Sequence, residues 1–103
     1  MTLKLMPILE HMSACRDSRE WVRVEDYATF TEAWDACERP DWLRWLIFNV
    51  LPKDYYARVW YASEGIRGTA GANIVRSIVG ASLIEVALVE YAHKHGCAVE
   101  VAP

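Results

Sequence analysis

A chain of 103 residues, 53% hydrophobic and 24% charged, has the length and apolar content of one compact domain, and its few Gly and Pro positions exclude a collagen-like, linker-like or disordered segment. A net charge of −3 offers no general attraction to nucleic acid or to an anionic membrane. The widely spaced Cys15, Cys37 and Cys97, an odd number without a C-x-x-C, point to free thiols in a reducing compartment, and the opening apolar stretch, broken by Pro7 and Glu10, is too short for a signal-peptide core; the expectation is a soluble cytoplasmic protein.

Pro7 suits the first turn of a helix. Ile8, Leu9, Met12 and Cys15 recur at helical spacing and predict a helix over 7–18. Trp21-Val22-Arg23-Val24 alternates for only four residues and reads as a connector into the acidic turn Glu25-Asp26. Asp26 or Thr29 can cap a second helix, in which Phe30, Ala33, Trp34 and Cys37 form a buried stripe at i, i+3, i+4 and i+7. It stops near Glu38, because Pro40 disfavours helix at the residue before it. Asp41 is a good N-cap for Trp42 to Leu51, which is apolar all round except at Arg44 and Asn49 and so predicts a central helix. Pro52 opens another helix, Lys53 to Glu64, with Tyr56, Val59, Trp60 and Ser63 on one side and Gly65 as its left-handed stop.

Thr69 can cap the longest element, Ala70 to Lys94, closed by Gly96. Its β-branched residues suit a strand, but about 25 positions without a turn signal other than Gly80 exceed ordinary strand length, and helix is the better reading. Arg76, Glu85 and Glu90 keep it from reading as a membrane span. Residues 97–101 alternate like one short strand or an extended tail. Together the elements predict an all-α domain, a compact bundle of about five helices.

Residues 17–41 hold eight acids against three bases, a net of −5, which suits steering of a basic protein partner. Five Trp and five Tyr are many for this length. Trp34, Trp42 and Trp45 read as core where two helices cross. Tyr55, Tyr56, Trp60 and Tyr61 point around more than half a helix, so at least one faces outward and can act in an interface.

His11, Cys15 and Cys37 are candidate metal ligands without a compact motif, and a Cys15–His11 pair lacks the orienting third group of a nucleophilic site. No metal, cofactor or catalytic residue is expected. The segment Gly65 to Gly71 precedes a helix N-terminus, where a phosphate can bind. It lacks the G-K-[ST] ending and preceding strand of a P-loop, and its G-x-x-G, though like the backbone clamp of KH domains, lacks their sheet.

The run Trp34-Asp-Ala-Cys37-Glu-Arg39-Pro-Asp41-Trp42-Leu-Arg-Trp45-Leu resembles a W-x-x-C-x-R-x-D-W-x-x-W pattern of small helical proteins of bacteriophages and prophages, with Ala14-Cys15 and Trp21 as flanking matches. The resemblance spans residues 14–46. It implies a phage-like origin, and small acidic phage proteins often work by occupying a surface of a host enzyme, defence nucleases included. On that expectation the protein is non-enzymatic, and Glu25, Asp26, Tyr55, Tyr56, Trp60 and Tyr61 meet a basic surface of a host protein in the host cytoplasm. The alternatives are a nucleotide- or nucleic-acid-binding module using Gly65 to Gly71, or a phage structural or assembly component; nucleic acid and membrane are not the expected partners. Finally, the long apolar helix presents Ile78, Val79, Gly80, Ala81 and Leu83 to an identical helix, so a two-fold homodimer is expected.

Overall fold

The computed structural model describes residues 5–97. Among the described residues the chain is all-α, with seven helices: α1 Leu5–His11, α2 Arg16–Glu25, α3 Phe30–Ala36, α4 Pro40–Val50, α5 Lys53–Ser63, α6 Gly68–Ile78 and α7 Ala81–His95. The expected class holds; the expected number does not, because two stretches read as continuous are broken. Of the 97–101 strand or tail only Cys97 is described, and it lies outside any helix or strand; residues 98–101 lie outside the described residues.

The first break divides the helix expected over 7–18. Ser13 adopts a left-handed φ of 57°, the Ala14 N–H donates to the Leu9 carbonyl and the Ser13 N–H to the Glu10 carbonyl. That pair of bonds is the Schellman stop, here with serine where glycine usually sits. The chain restarts at Cys15, and Trp21 to Val24, expected as a connector, are the last turns of α2. Asp26 does not cap the next helix: its own left-handed backbone, φ 46°, ends α2. Thr29 is the cap of α3, its hydroxyl accepting from the Glu32 N–H.

Two further helix starts shift. Pro40 rather than Trp42 begins α4, with Arg39 at the N-cap, because proline needs no partner for a first-turn N–H. Gly68 begins α6, leaving Thr69 inside it.

The second break falls at Val79-Gly80, where both residues are extended and α6 and α7 meet at 75°. A straight helix over the same span would run about 40 Å at 1.5 Å per residue, as long as the molecule's longest extent of 39 Å. Much of its apolar surface would then project beyond any cover. Bending instead puts Val75, Val79, Ile84 and Leu88, all 0% exposed, into one core, and each such side chain contributes about 1.5–3 kcal/mol by burial.

Helix α4 is central, as expected, packing on α5, α6 and α7; α5 also packs on α6, α1 on α2, and α7 returns to α3. Ile8, Ile47 and Val59 are also fully buried. Two residues hold α6 in place. Gly71 lies where a Cβ would overlap the Ile66 carbonyl oxygen and press on Pro40 at 3.0 Å, so the last glycine of the candidate phosphate loop is required for packing. Arg76 spans to α3: its Nη1 donates to the carbonyls of Trp34 at 2.9 Å and Cys37 at 2.6 Å, and its Nη2 to Asn73 Oδ1 at 2.8 Å.

Candidate functional site

The residues of the W-x-x-C-x-R-x-D-W-x-x-W run converge in space. Trp34, Cys37, Arg39, Asp41, Trp42 and Trp45 all line one cavity of about 430 Å³, together with Cys15 and Trp21 from the flanking matches. Leu5 and Leu9 of α1 and Phe30 of α3 close the apolar wall. Spacing explains the convergence: Trp34 and Cys37 are three apart across the end of α3, Trp42 and Trp45 three apart on α4, so each pair projects to one side of its helix. The expectation of Trp34, Trp42 and Trp45 as filled core at a helix crossing is therefore corrected in part. Trp34 is buried, at 3% exposure, but Trp42 and Trp45 are only half-buried and bound a hollow. Phe30 packs on Trp34 with centroids 5.9 Å apart, and Trp21 bridges Tyr27 and Trp42 at 5.7 and 6.0 Å.

Few polar groups reach this cavity. Arg39 forms a two-armed hydrogen bond with Asp41, at 3.0 Å from Nε and 2.8 Å from Nη2, and its guanidinium carbon lies 4.4 Å from the centroid of Trp42. The pairing holds the Asp41 carboxyl below its ordinary range. Cys15 stands at the N-cap of α2 with its Sγ 3.3 Å from the Ser18 hydroxyl. The hydrogen bond between the thiol and the Ser18 hydroxyl, and then the one with the Ser18 backbone, lowers its thiol pKa, as helix N-termini do for thiolates. Burial pushes the Cys37 thiol the other way. The Trp34 indole Nε1 is buried without an acceptor among the described residues.

A second, shallower hollow shares Asp41 and Trp45 with the first and lies between α4 and α5, lined also by Arg44, Phe48, Tyr56 and Trp60. Tyr56 stacks on Trp60 and meets Phe48 edge-on, at 6.3 and 5.0 Å. Arg44 is fixed in the middle: Nη1 donates to Ser63 Oγ at 3.0 Å, Ser63 donates to the Val59 carbonyl, and the guanidinium lies 5.1 Å from the Trp60 ring. This network satisfies the hydroxyl of Ser63, which is 0% exposed.

Among the residues expected at a partner surface, Tyr61 is 81% and Trp60 39% exposed, while Tyr55 and Tyr56 are half-buried. Sequence reading missed Phe48, 56% exposed, because an apolar helix was taken as covered all round. Glu25 and Asp26 are exposed at the end of α2, as are the other six acids of residues 17–41. Glu20 pairs with Arg23 and Asp41 with Arg39; among the described residues the remaining six make no ion pair.

The self-association residues do not form one strip. Val79 is wholly buried in the chain's own core, Ile78 and Ala81 are half-covered, and only Gly80 and Leu83 are exposed. The flat crossing point expected at Gly80 is a bend, so the continuous helix on which the dimer expectation rested is absent. His11, considered with Cys15 and Cys37, instead has its Nδ1 2.8 Å from the Tyr91 hydroxyl and its ring 4.8 Å from that of His95. Among the described residues no single helix is long and apolar enough to cross a membrane. The chain matches no protein-family model, no curated protein and no solved structure.

Proposed function

We propose that the protein is a non-enzymatic binding module that docks on another protein through the α4–α5 aromatic hollow, steered by the acid-rich α2–α3 segment, and that it serves a bacteriophage by occupying a host protein in the host cytoplasm. The observation that carries the docking half is the group Phe48, Tyr56, Trp60 and Arg44. Aromatic residues this exposed around an immobilised arginine have the composition of interface hot spots, and rigid side chains lose little freedom on binding. The six acids that make no ion pair among the described residues support the steering half, because charge of one sign speeds encounter with the opposite sign. The phage setting rests on the resemblance over residues 14–46.

The test is capture of host proteins on the immobilised chain, compared with a Trp60→Ala/Tyr61→Ala variant and a Glu25→Lys/Asp26→Lys variant. The reading expects a retained protein that the aromatic variant loses, and that the charge-reversed variant binds at least about ten-fold more slowly at low salt, with a flatter salt dependence. Retention unchanged by both variants sinks it. A thermal shift with nucleotides that the wild-type chain shows and an Arg67→Ala variant does not would favour the Gly65 to Gly71 alternative instead.

A further inference from the structure

On the docking reading, the surface that a partner covers includes a full positive charge. The Arg44 guanidinium lies 5.1 Å from the Trp60 ring, in the hollow it shares with Phe48 and Tyr56. Its Nη1 is taken by Ser63, a wholly buried residue whose hydroxyl donates in turn to the Val59 carbonyl. Nε and Nη2 are different. Among the described residues they make no hydrogen bond, neither is a buried atom, and Arg44 makes no ion pair, so this edge of the guanidinium is open to a ligand. The other charged group of the hollow, Asp41, has both carboxylate oxygens engaged by Arg39.

A docked partner takes the Arg44 guanidinium out of water. A covered charge without a counter-ion is strongly unfavourable, so the partner has to bring the counter-charge itself. The open Nε and Nη2 edge is the fork that meets a carboxylate with two parallel N–H···O bonds. Because Asp41 borders the same hollow, the single negative charge of a carboxylate suits it better than the roughly two of a phosphate. The rings of Phe48, Tyr56 and Trp60 offer apolar surface to the methylenes of a glutamate stem. Resting on the docking reading, we propose that the α4–α5 hollow recognises a glutamate side chain of the partner, held by Nε and Nη2 of Arg44. The acids of α2 and α3 attract a face that is basic overall, before contact. Arg44 acts at contact and selects, among such faces, one that carries a glutamate.

The probe is the blocked dipeptide acetyl-Phe-Glu-amide, titrated into isotope-labelled chain and followed by NMR, with acetyl-Phe-Gln-amide as the uncharged counterpart of the same shape. The glutamate peptide is expected to bind with a dissociation constant of about 0.1–5 mM, inside the ligand-efficiency bound for its size, and about ten-fold more tightly than the glutamine peptide. Arg44→Met should remove that preference. Because this variant also takes a partner from the buried Ser63, the wild-type chain supplies a second readout: the Arg44 Nε–H resonance should move with the glutamate peptide and stay in place with the glutamine one. Arg58→Ala, beside Tyr55 and outside the hollow, should change neither affinity. Equal binding of the two peptides, a preference that survives Arg44→Met, or an unmoved Arg44 resonance would each overturn the proposal. So would tighter binding of acetyl-Phe-Gln with a free terminal carboxylate, which would assign the fork to a chain terminus. Host capture lost on Trp60→Ala/Tyr61→Ala without any glutamate preference keeps the docking reading and overturns this one; a glutamate preference with no host protein retained sinks the docking reading and keeps the carboxylate site.

Discussion

Arg76 offers the sharpest quantitative test of the packing. Replacing it by Met keeps the methylene packing of the side chain and removes the guanidinium that bonds the Trp34 and Cys37 carbonyls at the end of α3. Hydrogen bonds to a charged group contribute about 1.5–3 kcal/mol each; Arg76 is half-buried, so the lower figure applies to each of the two, and the exposed bond to Asn73 adds little. The expected loss is about 3 kcal/mol, a large share of the roughly 5–15 kcal/mol that stabilises a domain of this size. With a urea m-value of about 1–1.5 kcal/mol/M, the midpoint should fall by about 2–3 M without a change in m. A midpoint within about 0.5 M of wild type would refute the view that Arg76 ties α6 to α3.

Ser13→Gly should stabilise by about 1 kcal/mol in the same urea titration, because serine bears the left-handed strain that glycine avoids. Gly71→Ala should cost about 1–3 kcal/mol through overlap with the Ile66 carbonyl, whereas Gly80→Ser should stay within about 0.5 kcal/mol of wild type, since a Cβ there meets nothing within 4 Å and serine is a favourable N-cap. Asp41 has its folded pKa depressed, so the unfolded chain protonates it first and stability is lost as pH falls from about 4. Because the pair is exposed, the loss is under about 1 kcal/mol, and the acid limb of a melting-temperature profile should be shallower in Asp41→Asn.

What could be read in advance was what is written locally. The Phe30, Ala33, Trp34 and Cys37 stripe is buried throughout, and Pro40, Pro52 and Gly65 mark real boundaries because each restricts or frees the backbone at its own position. The breaks at Ser13 and Val79 were invisible for the same reason reversed. Serine carries no left-handed preference that would announce a stop, and Ile78-Val79-Gly80 suits a straight helix as well as a bent one until the rest of the molecule decides which buries more. The Trp-rich run was recognisable as unusual, but whether tryptophans fill a core or surround a hollow depends on α1 and α2, distant in sequence. Arg76 looked like an isolated charge; its partners are carbonyls, which every residue has, so no side-chain pattern could reveal them.

The order of the helix contacts bears on how the chain reaches this structure. Half of the main packed pairs, α1 with α2, α4 with α5 and α5 with α6, are consecutive along the chain, while α7 reaches back to α3 and α4. Such low sequence separation closes short loops first and favours folding in microseconds to milliseconds. The return of α7 is the long closure, and it brings Ile84 and Leu88, both fully buried, to helices made much earlier. During synthesis α3 and the central α4 therefore emerge well before the segment that covers them, and the arrival of α7, rather than helix formation, sets the moment at which this core can close.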